Sequence, residues 1–289
     1  MESVIRARVL ISFVLVFVSL PLFAATVFRD SFDSSPSPLW ANERGSWAAG
    51  NGGYYAQCPS NSPTTFTSLP LNLKDFSVEL DVNGISDGGV WLRSSFTGGA
   101  ASGVLLVTGG KQRSGTGFYW HIVHNDGYSP MLHDSGALFS QGDNVHIRID
   151  VTGNTYCAYL NGSSVPATTL TTEDFPSGSV GLYDFSSQRF DNFTLSVAAP
   201  TVGMRNRSCH ESIMDSARDK YLFAVWGKAY PFDQNSFVLD DGSGAPVKVF
   251  APGYSGFVSG RMIRASGALA TAPEQSTIVT VPALVSPLE

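Results

Sequence analysis

Glu79 and Asp81 stand two residues apart in the run Phe76 to Val82, a spacing that puts both carboxylates on one side of an extended strand. Paired carboxylates are the raw material of general acid–base chemistry. Phe76, Val78, Leu80 and Val82 alternate with them, however, so the plainer reading of the pair is the wet face of an amphipathic strand. His121 and His124 are three apart on a strand-like run, point to opposite faces and cannot chelate one metal together. His133, His146 and His210 are isolated in the sequence, and no C-x-x-C pair supports a zinc ribbon. A second group of chemically able residues is aromatic. Alternation sends Val90 and Leu92 inward and leaves Trp91 and Arg93 on the other face, while Tyr119 and His121 share a face opposite Trp120 and Ile122. Tyr183 follows the Val180/Leu182 pair. Aromatic platforms beside Arg and His donors suit a sugar ring, which has an apolar face and a rim of hydroxyls. The same rings serve equally well as packing under loops or under a second domain.

Those residues must be positioned by strands. Short alternating runs recur at Phe76–Val82, Val90–Arg93, Phe118–Val123, Val145–Val151, Tyr156–Leu160, Val180–Tyr183 and Phe193–Ser196. Between them lie turns such as Asp87-Gly88-Gly89, Asn125-Asp126-Gly127, Thr152-Gly153-Asn154 and Asn161-Gly162. This is the signature of an antiparallel sandwich or barrel. Around 198–204 small residues and Pro200 suggest a linker, and Asp215 to Lys220 has room for a turn or two of helix. A second β series follows: Tyr221–Tyr230, Ser236–Asp240, Val247–Phe250, Arg261–Leu269 and Thr277–Val281. Five strands with glycine at the bends fit a small barrel, in which Trp226 and Phe237 read as core.

The N-terminus has its own pattern. Arg6 and Arg8 precede the apolar run Val9–Phe23, and Ala24 and Ala25 follow it. A basic start, a short apolar stretch and small residues describe a secretory signal peptide over residues 1–24, with cleavage after Ala24 or Ala25. The run is too short to be the better candidate for a membrane span, which needs about 20 apolar residues. The mature chain is expected to be secreted, periplasmic or held at the cell surface. Without residues 1–24 it carries 16 basic and 23 acidic groups, a surplus that argues against nucleic acid as a partner. From Arg205 onward the charges balance at eight each, so the surplus belongs to the first part of the chain. Cys58, Cys157 and Cys209 allow at most one disulfide; Cys58 and Cys157 are expected to be buried and unpaired.

The order of several signposts carries a resemblance. Phe28-Arg-Asp-Ser-Phe32, Gly45-Ser-Trp47, Asn51-Gly-Gly-Tyr54, Asp75-Phe-Ser-Val78, Gly89-Val-Trp-Leu-Arg93, Tyr159-Leu-Asn-Gly162, Gly178-Ser-Val-Gly-Leu182 and Phe190-Asp-Asn-Phe-Thr-Leu195 follow one another across residues 26–197. This part resembles the concanavalin A-like lectin/glucanase jelly roll, in its laminin-G-like and 3-keto-disaccharide-hydrolase-like forms. The first and last strands, with Phe28, Phe32, Phe190, Phe193 and Leu195, are expected to lie side by side. Residues 205–289 resemble an OB-fold barrel, on the strength of Phe223-Ala-Val-Trp-Gly-Lys228, Ser236 to Gly244, Val247-Lys-Val249 and Gly260 to Gly267. The expected architecture is therefore all-β, an antiparallel jelly-roll sandwich plus a small five-stranded OB-like barrel.

The resemblance implies further properties. Related jelly rolls clip their first and last strands with a structural Ca²⁺, and the matching positions here are Asp30, Gly52 (or Gly53) and Asp191; otherwise Asp30 caps a turn and Asp191 faces water. Ligands of this fold sit on the concave sheet or its rim, which nominates Trp91, Arg93, Tyr119, His121 and Tyr183. Glucanases of the class carry E-x-D-x-x-E on one strand, and here Gly84 stands where the third carboxylate would be. No catalytic residue is transferred. The reading that results is a non-catalytic, exported carbohydrate-binding or surface protein with a polysaccharide or oligosaccharide partner. A glycoside-active enzyme of the 3-keto-disaccharide-hydrolase-like type and a structural or adhesive protein-binding module stay open as alternatives.

Overall fold

Strict alternation buries every second side chain of a strand, and two such faces laid together make a sandwich. The computed structural model describes residues 24–109, 116–186, 188–271 and 276–288, and the run read as a signal peptide lies outside them up to residue 23. In chain order the first strands are β1 (Ala25–Asp30), β2 (Trp47–Ala49), β3 (Tyr54–Ala56), β4 (Thr67–Ser68), β5 (Phe76–Asn83), β6 (Gly88–Thr97) and β7 (Ala100–Val107). They continue as β8 (Tyr119–His124), β9 (Gly127–Tyr128), β10 (Val145–Thr152), β11 (Thr155–Leu160), β12 (Thr168–Thr171), β13 (Ser179–Asp184) and β14 (Arg189–Val197). One sheet of eight strands runs β12-β11-β10-β5-β14-β3-β2 with β1 added to β14, and a second of six runs β4-β13-β6-β7-β8-β9. All of these pairings are antiparallel, as a jelly-roll sandwich requires. First and last strands lie side by side, Phe28 opposite Leu195 and Asp30 opposite Phe193.

The inner faces meet in one apolar core. Val78, Leu80 and Val82 of β5 and Ile147, Ile149 and Val151 of β10 face Val90 and Leu92 of β6, Val104 and Leu106 of β7, Trp120 of β8 and Leu182 of β13. Each side chain of this kind contributes about 1.5–3 kcal/mol by leaving water. No disulfide reinforces this core. Cys58, Cys157 and Cys209 are all unpaired, but Cys58 is exposed rather than buried, and Cys157 is half-buried. The segment that carries Cys58 has short bridges in place of a strand, which leaves its side chain in solvent.

The remaining strands are β15 (Thr201–Gly203), β16 (Leu222–Asp233), β17 (Ser236–Asp240), β18 (Val247–Phe250), β19 (Met262–Leu269), β20 (Thr277–Val279) and β21 (Val285–Pro287). Strands β16, β17, β18, β20 and β19 pair in that order, and β19 returns to β16, so the five form a closed ring with β18–β20 its one parallel pair. Three readings change. Thr201–Gly203, within the expected linker, is a strand parallel to β16. The expected helix at 215–220 is replaced by two 3-10 segments, Asn206–His210 and Ser212–Ser216. Trp226 is half-buried on the outside of the ring beside Gly203, because the inward positions of β16 fall to Phe223 and Val225; Phe237 is core as expected.

Sandwich and barrel share apolar surface. Leu222, Phe250, Ala268, Ala270 and Val279 of the barrel strands and their flanks belong to the same buried cluster as Leu69, Leu71 and Val197. The amide of Thr271 also donates to the Pro70 carbonyl at 2.7 Å. A continuous apolar contact of this kind fixes the two parts against each other, which a solvated tether would not do.

Candidate functional site

The six-stranded sheet is covered on both faces. Its outer face carries a second apolar cluster, in which Trp91, Leu105, Val107, Val123 and Tyr183 pack under Phe66, with Tyr119, Tyr128 and Phe96 at the margin. Phe66 belongs to the chain between β3 and β4, which crosses this face and is tied down by polar bonds. Arg44 donates to the Thr64 carbonyl at 2.6 Å and makes a two-pronged ion pair with Asp126 at 2.8 and 3.0 Å. The Tyr128 and Thr64 hydroxyls bond at 2.7 Å, and the Trp91 indole donates to the Thr65 carbonyl at 3.4 Å.

Beside this cover the face stays open. Tyr119, His121 and Tyr128 are half-buried neighbours, with His121 edge-on to Tyr119 at 5.3 Å and to Tyr128 at 5.7 Å between ring centres. The His121 ring bonds the Ser129 carbonyl through Nδ1 at 2.8 Å, so in the neutral tautomer Nδ1 holds the proton and Nε2 is an acceptor. Underneath, the Tyr183 hydroxyl donates to Asp87 Oδ1 at 3.0 Å. Burial pushes the Asp87 carboxyl up to about 6, against the pull of the Tyr183 hydrogen bond in the other direction. Burial also raises the Tyr119 phenol, and the charges of Asp87 and Asp134 raise it further. Both charges therefore act on the same ring.

Local sequence explains how Asp87 reaches this place. Gly88 and Gly89 follow it, and a Cβ at Gly88 would lie 2.0 Å from the Gln188 amide nitrogen, one at Gly89 1.9 Å from the Leu106 carbonyl oxygen. Only glycine lets β6 start so close to both. The Asp87 carbonyl accepts from the amides of Phe185 and Ser186, which pins the turn. Gly84-Ile-Ser-Asp-Gly88 also has the spacing of a hydrolase elbow. Here Ser86 is buried, its hydroxyl takes a 3.1 Å bond from Gln141, and the element that follows is a strand, not a helix. It is no nucleophile.

Of the residues nominated from sequence, Trp91, Tyr119, His121 and Tyr183 lie on this one face. Tyr119 and His121 reach its surface; Trp91 and Tyr183 form its floor, 0% and 3% exposed. Arg93 does not join them. The β6–β7 register slips between Leu92 and Ser95, and Arg93 has a left-handed φ of 45°, which breaks the alternation that placed it beside Trp91. Its guanidinium is buried, lies 5.3 Å from the Tyr156 ring centre and donates to the carbonyls of Lys74, Gly153 and Phe175. Arg93 is thus a clamp on the ends of the opposite sheet. Asp87 and Tyr128 were not singled out in the sequence; the turn and hairpin motifs they sit in hid them.

The other nominated positions lie on the eight-stranded sheet. Asp30 accepts from the amides of Phe32 and Ser37 and from the Trp40 indole at 2.7–3.1 Å, which organises the turn after β1. Burial raises its carboxyl, those donors lower it, and the charge of Asp191 raises it. Asp191 accepts from the Asn192 amide, and the Gly52 carbonyl takes a 3.2 Å bond from Asn83. Glu79 and Asp81 occupy the exposed outer face as expected. His146 is not isolated: β10 pairs with β5, so it meets Asp81 at 2.8 Å and Glu79 at 3.7 Å. Among the described residues, no group of three or more His, Cys, Asp or Glu side chains is arranged to hold a metal ion.

No protein-family model and no curated protein sequence matches this chain. Among solved structures, a carbohydrate binding module, CBM66 from Bacillus subtilis, is similar over 55% of this chain and 95% of its own, at 18% identity and a TM-score of 0.47. A Bacillus subtilis protein of unknown function with a galectin-like fold is similar over 60% and 97%, at 11% identity and a TM-score of 0.47. Chicken galectin 2 is similar over 46% and 98%, at 10% identity and a TM-score of 0.37.

The Asp87 geometry generates a pH test. A carboxyl that titrates near 6 when folded and near 3.8 otherwise adds stability at low pH, and that contribution is lost as pH rises between those values. Asp87→Asn keeps an acceptor for Tyr183 and removes the charge. Its melting temperature should gain on that of the wild type from pH 4 to pH 7; a constant difference across that range would contradict the assignment.

Proposed function

We propose that this chain is an exported carbohydrate-binding protein whose sugar site is the open part of the six-stranded sheet's outer face. The observation that carries the reading is the juxtaposition of the Tyr119, His121 and Tyr128 rings with the Asp87 carboxyl. A sugar ring offers C–H groups to an aromatic side chain and hydroxyl donors to a carboxylate or imidazole acceptor. Among the described residues the charges that act on Tyr119 are those of Asp87 and Asp134, which favours neutral sugars over uronic acids. Export rests on the N-terminal sequence pattern. The barrel is read as OB type, supported by its ring order and single parallel pair.

A second reading has one observation in its favour. A carboxyl near 6 can hold a proton close to neutrality, as the acid of a glycoside-cleaving pair must, and the charge of a second carboxyl, Asp134, also acts on Tyr119. Product release from mixed disaccharides, abolished in Asp87→Asn, would establish it.

For the binding reading, the mature protein is screened on a glycan array and titrated with the best neutral hits. Tyr119→Ala should weaken binding about tenfold, on the scale of one lost aromatic contact. Absence of saturable binding to any polysaccharide would sink the reading.

A structural Ca²⁺ between Asp30, Gly52 and Asp191 belongs to the same proposal. In its favour, Asp30 and Asp191 lie on the two strands that close the sandwich and feel each other's charge. Three N–H donors occupy part of the Asp30 carboxylate, which has about four acceptor positions, so room remains for an ion. Bound there, the ion would offset the two like charges. Stability should then rise with free calcium, by about 2.7 kcal/mol at a hundredfold excess over the dissociation constant, and Asp191→Ala should lose the effect. Equal wild-type melting midpoints in chelator and in millimolar calcium would reduce Asp30 to a turn organiser.

A further inference from the structure

We propose that the cleft between sandwich and barrel at Arg218 binds an acidic sugar, a uronic-acid residue whose carboxylate is received by the Arg218 guanidinium. Sandwich and barrel meet at two polar clefts. One, of about 450 Å³, runs from Arg29 and Ser34 to Gln234 and Asn235, and there Arg29 stands beside the carboxyl of Asp30. The other, of about 360 Å³, lies between the bulged end of β6, the chain that leads into β13 and the residues that precede β16. It brings two guanidinium groups, Arg93 and Arg218, against one carboxylate, Asp215. That excess of positive charge sets the second cleft apart.

The two arginines do different work. Arg93 is 2% exposed, and all five of its N–H groups are engaged, by the carbonyls of Lys74, Phe175 and Gly153 and the Tyr156 hydroxyl. It gives the cleft charge but no donor. Arg218 is held at two points: Nε donates to Asp215 at 3.2 Å and Nη1 donates to the Ala270 carbonyl. Its Nη2 meets no hydrogen-bond partner among the described residues. The Arg218 side chain is only 13% exposed, whereas that of Asp215 is 74% exposed. An ion pair with so wet a partner adds little stability, so an incoming anion displaces Asp215 at small cost. A carboxylate that takes Nε and Nη2 together makes two parallel bonds where Asp215 makes one.

The rest of the lining selects what carries the carboxylate. Asn72, Ser95, Ser177 and Ser179 line the cleft, and among the described residues their side chains make no hydrogen bond within the protein. Gly178 sets the two nearer serines in place. A Cβ there would lie 2.3 Å from the Arg93 carbonyl carbon, so only glycine lets the chain run directly against the β6 bulge. Phe175 and Leu71 supply apolar surface. An inorganic anion would fill a small part of this volume and leave the hydroxyls to water. A uronic acid matches all three features at once: a carboxylate for Arg218, hydroxyls for the serines and Asn72, and a ring with an apolar face. The cleft shares no residue with the sheet site, whose neighbouring acids favour neutral sugars, and the inference stands or falls without that reading.

The test titrates the full mature chain by calorimetry with digalacturonate, dimannuronate and diglucuronate, and with sodium sulfate at equal ionic strength as the control for charge alone. Melting curves are run on every variant. The wild type should bind at least one of the three diuronates in a single saturable event and sulfate at least tenfold more weakly, roughly the worth of one or two lost hydrogen bonds. Arg218→Gln should weaken the diuronate event by about tenfold or more. Asp215→Asn, a change at an exposed side chain that leaves the fold intact, should strengthen it by about two- to fivefold, because the guanidinium loses its internal competitor. Asp215→Asn therefore decides the matter even if Arg218→Gln does not fold. Tyr119→Ala should leave the event unchanged. No diuronate event, sulfate binding of equal strength, or a diuronate event that Asp215→Asn leaves unchanged or weakens would overturn the site. An event lost in Tyr119→Ala would assign acidic sugars to the sheet and overturn it as well.

Discussion

The contact on which the candidate site depends is the packing of Phe66 against Trp91 on the outer face of the six-stranded sheet, at 5.3 Å between ring centres. A sandwich needs only one buried face per sheet, and this sheet buries part of its second as well. Removing that face from water fixes the Tyr183 ring, and the fixed ring presents its hydroxyl to Asp87. It also stops the cover short, so that Tyr119, His121 and Tyr128 remain at the edge of a dry surface. A carboxyl in such a place loses solvation, which is why Asp87 titrates so high. Aromatic packing, an acid of raised pKa and an open rim are one construction.

A second constraint acts between sandwich and barrel. Phe250, Ala268 and Val279 complete a core that the sandwich begins with Leu69 and Leu71. Polar loops from both sides therefore meet at a fixed distance and leave a cleft between them. Had the connection been a solvated linker, Arg29 and Asn235 would share no defined wall.

Much of the fold was legible in the sequence because alternation is a strong and local signal. Val78/Leu80/Val82 and Ile147/Ile149/Val151 read correctly, as did the five strands of the ring within a few residues. The pairing of first and last strands followed from Phe28 and Leu195. The site was legible only in part. Alternation correctly grouped Trp91, Tyr119, His121 and Tyr183, but it says nothing about how much of a face a distant loop covers, so the burial of Trp91 by Phe66 was out of reach. It also failed at Arg93, where one slipped residue in the ladder turned the side chain to the other sheet. Asp87 was hidden for a related reason: an acid before two glycines reads as a turn, and the Tyr183 hydroxyl that meets it lies nearly a hundred residues away in the chain. His146 likewise gained its partners only through the β5–β10 pairing.

The central claim, that the open rim of the six-stranded sheet holds a neutral sugar, is tested most directly by following the tyrosine rings. With ¹³C-labelled tyrosine, single Tyr→Phe substitutions assign the ten ring signals of the chain. During titration with neutral oligosaccharides the account predicts that the Tyr119 and Tyr128 signals shift together and saturate. A saccharide that binds the protein while both of those signals stay in place would contradict it.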